Sequence, residues 1–508
     1  MNRNRLLLYL WSILGVLAVS CSNWLDIDQD TEKNETVMFD QYDGFKSALA
    51  GCYEDLCKPA LYGTNLTMTY VEAMGNMWFI ESPNNLGTTK QTAYYFRTHN
   101  YTHDLTETAI KSMYSAFYNT ILEANMIIRA CREKGENIAD PASRAVVEGE
   151  AYAIRALCHM DVLRLFGQIP SGASIAVSLP YSEVTDLTDR PAYYSFEQYV
   201  AKLESDFQRA ETLLKENDPI VDYSYEEMNG VASNGNNYTH VDVQDEFLYN
   251  RQYRLNYWAV KALQARLYRY LGQADKAHDI AIEVIKATTT NGKPVVELSS
   301  MENYGGTGKS FASPSECLFS LYFDNLHDIS VPLLRGGEVR GENATQVQPG
   351  NDFCMTPAWI RDLFSTTNTG TDIRSLKMWS ETQTSQGEVF PTIRKYFVEK
   401  GAGIVPIIRL SEIYLIALEG AKDVAEANSL YETYMVSKGV ALHDPFARLD
   451  EVPAELEKEY RRELYAEGQM FYFYKRHNAS SMWTGGTTVV GESDYILPLP
   501  NTELNPNK

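Results

Sequence analysis

The chain is poor in whatever would cut it into pieces or bind it to a polyanion. Across 508 residues no Gly/Ser-rich or Pro-rich stretch interrupts the sequence, so length alone permits several domains but composition marks no linker between them. Positive charge is scarce: 45 Lys and Arg face 67 Asp and Glu, giving a net charge of −22. A nucleic-acid backbone or an anionic lipid surface needs clustered cations, so the charge balance argues against both as partners. Cysteine is sparse at seven residues. Of Cys52, Cys57, Cys131, Cys158, Cys317 and Cys354, several sit among apolar neighbours at helical spacing, which predicts small buried hydrophobes instead of a disulfide framework. After residue 20 no apolar run is long enough to cross a bilayer.

Signatures of catalysis are also missing. No Gly-x-Ser-x-Gly elbow and no clustered cysteine metal site occur. His99 and His103 are four apart but lack the glutamate of a zincin. Gly305 to Ser310 imitates a phosphate loop, yet Asn303 stands where its first glycine belongs and Pro314 discourages the helix that should follow. Asp26, Asp28 and Asp30 open like a calcium loop, but Thr31 replaces the turn glycine and Val37 the closing glutamate. The expectation is a protein that is not an enzyme and needs no cofactor or metal.

What is present begins with the first residues. Arg3 and Arg5 precede an apolar core from Leu6 to Val19, the length of a signal-peptide core. Ala18-Val19-Ser20-Cys21 resembles the lipobox of bacterial lipoproteins, although Ala18 occupies the position where that family prefers leucine. The resemblance implies cleavage after residue 20 and lipidation of Cys21. Cleavage would remove two arginines and no acid, taking the charge to −24. Residues 21–38 read as an acidic tether, and 39–508 as one domain.

Within that domain the apolar period is helical. Phe45, Leu49, Cys52 and Leu56 share one face before Pro59. Ile110, Met113, Phe117, Ile121, Ala124 and Ile128 share another. Asp140 and Pro141 supply a helix start, followed by Val147, Ala151, Ile154, Cys158, Val162 and Leu165 and a stop at Gly167. Phe196, Val200, Leu203, Phe207, Ala210 and Leu214 make a fourth face. Ala265, Tyr268, Gly272, Ala277 and Ala281 fall near tetratricopeptide spacing, with a weaker echo in Ile413, Ile416, Ala417, Gly420, Ala421, Ala427, Leu430 and Tyr434.

Taken together, several segments resemble the SusD/RagB family of outer-membrane nutrient-binding lipoproteins. They are Glu150 to Pro170, Met113 to Asn125, Asp372-Ile-Arg374, Lys395-Tyr396, Ile408 to Glu419, Arg461 to Gly468 and Tyr495 to Pro506, in the family's order. Gln469 to His477 departs from it, since the family usually shows Arg, Asp and Trp there. The resemblance implies a mostly α protein with a tetratricopeptide-like scaffold and an irregular, loop-rich ligand-binding part. It further implies a lipid-anchored place at the outer membrane facing the exterior, an oligosaccharide or peptide ligand, and a SusC-like TonB-dependent transporter as partner. A surface scaffold that only holds proteins is the alternative. The charged motif residues Arg155, Arg164, Arg409, Glu412, Glu463 and Glu467 sit among apolar positions and are expected to pair between helices.

Sugar rings bind on exposed aromatic faces with polar neighbours. Met74 to Phe79 and Tyr94-Tyr95-Phe96-Arg97 read as non-periodic and aromatic. Trp78 is the expected platform with Asn76 beside it, and Tyr94, Tyr95, Arg97 and Tyr304 are further candidates; Phe79 and Phe96 read equally well as core.

Overall fold

The structure, a computed structural model, describes residues 35–504 apart from 187–188, 230, 234–236, 240, 301–311, 335–349, 366–369, 385, 399–402, 442 and 484–489. Cys21, the three aspartates of the tether, Tyr304 and the Gly305–Ser310 stretch lie outside the described residues.

Helix α1 (Tyr42–Leu56) buries Phe45, Leu49, Cys52 and Leu56 as their spacing requires. A ten-residue helix α2 (Thr88–Arg97) follows, then the long α3 (Asp104–Glu133) and α4 (Pro141–Phe166). The Asp140 side chain accepts the Ser143 amide to cap α4, with Pro141 in the first turn. From Gly149 to Phe166 every residue of α4 is buried, because α3 packs on one side and α5 (Phe196–Lys215) on the other. Ser195 and Gln198 form a capping box at the start of α5.

The stack continues through α6 (Tyr257–Tyr270), α7 (Ala274–Ile285), α8 (Leu410–Glu419), α9 (Val424–Ser437) and α10 (Val452–Glu463). Consecutive members pack together up to α9, and α10 returns onto α8. Ala265, Ala277, Ala281, Ala417 and Ala427 are all fully buried, as the repeat spacing predicts. Gly272 turns α6 into α7 at φ +76°, a conformation that glycine adopts without a Cβ penalty. A short helix α11 (Met470–Arg476) closes the motif region.

Short strands fill the rest. Strand β1 (Cys317–Phe323) pairs antiparallel with β4 (Gly403–Arg409), and β2 (Trp379–Gln383) with β3 (Val389–Ile393). One buried apolar cluster runs from Phe39 to Leu497. All six cysteines among the described residues are free, and only Cys57 is not fully buried.

Most of the motif charges pair between elements. Arg155 of α4 makes two hydrogen bonds to Asp206 of α5, at 2.6 and 2.7 Å. Arg266 of α6 does the same to Glu412 of α8. Arg409 reaches Glu316, Glu463 and Glu467. Arg164 differs from expectation: its ion pair is with Asp161 one turn away on α4, while its guanidinium lies 3.9 Å over the Tyr472 ring and donates to Gln469. Tyr472 and Gln469 are thus packed against α4.

One expectation needs correcting. Tyr94 to Arg97 end α2 and are not an irregular stretch. The buried face of α2 includes Lys90 and Thr92 beside Ala93 and Phe96, and Lys90 satisfies its charge by donating to the Asp352 carbonyl at 2.7 Å. Polar side chains on the inner face erase the apolar period that would have disclosed the helix.

Candidate ligand-binding site

The loop after the short helix Tyr70–Met74 turns at Asn76, which has φ +58°. Its amide donates to the Trp483 carbonyl at 2.6 Å, tying the loop to a segment 407 residues away. Beyond the turn the chain is irregular, and Trp78 and Phe79 differ in their surroundings. Trp78 points inward. It is fully buried, its indole N–H donates to the Met68 carbonyl at 2.9 Å, and Phe353 and Tyr465 lie 5.5 and 5.2 Å away. A ring enclosed in this way has no face left to offer a ligand, so Trp78 is a core residue and not the expected platform.

Phe79 points outward and begins an arc. Its half-buried ring meets Trp359 edge-on at 5.7 Å and Phe390 of β3 at 6.1 Å. Trp359 in turn lies 5.8 Å from Trp483. All four rings are half-buried. Trp359 is held by the helix Pro357–Leu363, which starts with Thr356 accepting the Trp359 amide. Trp483 is oriented from several sides: its indole N–H donates to Asp362 at 2.5 Å, its backbone amide to the Tyr474 hydroxyl, and Arg461 sits 5.2 Å from its ring. Arg361 and Asp362 are exposed on the Trp359 helix. The arrangement is a strip of aromatic faces with hydrogen-bonding groups along its edge.

Of the other expected residues, Arg97 donates to the Ile80 carbonyl at 3.0 Å and so fixes the backbone one residue beyond Phe79. Burial lowers its pKa. Tyr94 meets Tyr95 edge-on, and Tyr95 stacks on His103 at 3.6 Å, where His103 caps α3. The pair therefore supports a helix start. Asn76 and Arg97 brace the arc, Phe79 belongs to it, and Trp359, Phe390 and Trp483 were missed. The last two had a faint signal: a phenylalanine before Pro391 in a polar hairpin, and a tryptophan beside Gly485-Gly486.

The arc rests on the Arg461–Gly468 motif. Ala466 and Gly468 adopt φ +62° and +70°, and a Cβ on Gly468 would lie 1.9 Å from the Leu66 carbonyl oxygen. Both amides donate to buried Glu72, at 2.6 and 2.8 Å. Burial raises the Glu72 carboxyl to about 8, despite the opposing pull of these two amides. Lys395 donates to the carbonyls of Glu463 and Tyr465 and to the Glu467 carboxylate. Tyr465, so fixed, donates its hydroxyl to the Met77 carbonyl. Burial would raise Glu463, but Lys438, Arg409, Arg374 and Lys395 outweigh it and hold that carboxyl well below the usual range.

These features define a class: a helical-repeat scaffold carrying an irregular face with an aromatic strip. Residues 23–224 match the SusD-like_3 family, described as "Starch-binding associating with outer membrane". No curated protein sequence matches the chain. Among solved structures, a SusD superfamily protein from Bacteroides thetaiotaomicron is 21% identical, with 92% of this chain and 98% of that one aligned at a TM-score of 0.66. A SusD-like carbohydrate binding protein from Bacteroides vulgatus aligns over 91% and 96% at 15% identity and a TM-score of 0.61. A laminarin binding SusD-like protein aligns over 92% and 97%, also at 15% and 0.61. The family match is thus to residues 23–224, and the chain as a whole shares the fold of SusD superfamily structures. No helix among the described residues is long and apolar enough to cross a membrane.

Proposed function

We propose that this protein is a lipid-anchored outer-membrane protein that captures a neutral oligosaccharide and passes it to a SusC-like TonB-dependent transporter. The observation that carries the reading is the arc of Phe390, Phe79, Trp359 and Trp483, four half-buried rings held by separate segments. Rings fixed in advance lose little entropy when a sugar stacks on them, and exposed Asp362 and Arg361 supply hydrogen-bonding groups nearby. The starch-binding description of the family and the carbohydrate and laminarin ligands of two structural relatives support the same class of ligand. Anchoring through Cys21 follows from the lipobox resemblance.

The test is calorimetric titration of the mature chain with a panel of neutral glucan, mannan, xylan and galactan oligosaccharides, repeated on Trp359→Ala and Trp483→Ala. Each substitution is expected to weaken binding by ~2 kcal/mol, as for an aromatic anchor. Unchanged affinity in both variants and in their combination would remove the arc from the function.

A further inference from the structure

A large cavity in the described structure lies away from the arc. It is a cleft of about 820 Å³ between α1, the 247–254 segment and the end of β1, and it shares no lining residue with the arc. That volume falls within the roughly 300–1,000 Å³ of small-ligand sites. At its mouth stands Tyr322, the one exposed residue of β1. Its side chain is 53% exposed, and its ring lies 5.7 Å from Tyr253 at 55°, giving a bent two-ring strip. No packing demand explains a large aromatic at the only open position of an otherwise buried strand.

The charges around the cleft narrow the ligand. Arg254 is turned inward: its guanidinium lies 3.6 Å over Phe247 and pairs with Glu150 at 2.7 Å. Lys58 pairs with Asp55. Arg254 is thus engaged within the fold, and exposed Lys58 is neutralised by its neighbour in the last turn of α1. Beside Lys58, the exposed polar groups at the rim are Glu54, Asp324 and the Asn325 amide; all three accept from hydroxyl donors, and the two carboxylates repel phosphate or uronate. We infer that this cleft is a second carbohydrate site, in which Tyr322 and Tyr253 stack a neutral sugar while Asp324 and Asn325 take its hydroxyls. For the class of ligand, the inference rests on the function proposed above. A chain held at two separate places would leave more slowly than one held at the arc alone.

The experiment titrates the same neutral panel against wild type, Trp359→Ala/Trp483→Ala, Tyr322→Ala, and the triple variant. Residual binding in the double variant is expected, and Tyr322→Ala added to it should reduce that binding at least about tenfold. Tyr322→Phe keeps the ring and should retain most of it; the exposure of Tyr322 lets both changes fold, which a thermal melt confirms. Hydrogen exchange should slow at residues 54–58 and 321–325 when the bound oligosaccharide is present. Binding abolished by the arc double variant would overturn the cleft and leave the arc standing. Residual binding indifferent to Tyr322→Ala would also overturn it. Binding untouched by the double variant but lost with Tyr322→Ala would uphold the cleft and defeat the arc.

Discussion

Two adjacent residues, Trp78 and Phe79, show how finely a site is divided from a core. Both belong to one irregular stretch, yet one ring is enclosed and the other opens the arc. Trp78→Ala should cost about 3–5 kcal/mol of folding stability through the cavity it leaves, seen as a lowered urea midpoint. Phe79→Ala should cost less stability but weaken sugar binding in titration. Glu72 supplies a second test. Its carboxyl is raised from 4.5 to about 8 by burial, so the folded state holds that proton more tightly than the unfolded one. The stability this provides is fully present below about 4.5 and is lost as pH rises to about 8. The difference in urea stability between wild type and Glu72→Gln should therefore move against wild type across that window. A difference independent of pH would mean that Glu72 is ionised throughout.

At the scale of elements, two glycines of the repeat region act for different reasons. Gly272 has open space around it but a positive φ, so Gly272→Ala strains the backbone by ~1 kcal/mol. Gly420 has an ordinary φ, but a Cβ there would stand 2.6 Å from the His278 Cβ and 2.9 Å from the Ala274 carbonyl oxygen. Gly420→Ala should overpack the contact between α7 and the end of α8, costing ~1–3 kcal/mol. Urea denaturation separates the cases: a large residue at 272 should be little worse than alanine, whereas at 420 the loss should grow with side-chain volume.

For the whole molecule, Arg409 joins distant parts of the chain. Its guanidinium gathers Glu316, Glu463 and Glu467, all buried, from ahead of β1, from the last residue of α10 and from just beyond it. Arg409→Met would leave these carboxylates short of a cation, with an expected loss of about 3–5 kcal/mol. The melting temperature of that variant should recover in part at low pH, where protonation relieves the uncompensated charge. Attachment is tested at the same scale. Cys21→Ala should release the protein from membranes or leave an uncleaved precursor, read by fractionation with labelled fatty acid; undiminished lipid incorporation would refute the anchor.

The sequence by itself determined the scaffold. Helices whose inner faces are apolar announce themselves by period, as at Phe45 to Leu56, and local chemistry such as Asp140-Pro141 or Gly272 marks their ends. The need to pair buried charge likewise foretold most of the ion pairs, because an arginine amid leucines has few other outcomes. Where the inner face is polar, as at Lys90 in α2, the period vanished and with it the helix. The binding face was decided by tertiary structure alone. Whether Trp78 or Phe79 faces solvent depends on Phe353 and Tyr465 closing over one of them, and both come from remote parts of the chain. Trp359, Phe390 and Trp483 became neighbours of Phe79 only through that folding. A helix repeats its environment every few residues, so its pattern is written locally. An arc built from loops takes each ring from a different segment, and no local spacing can record which rings will meet.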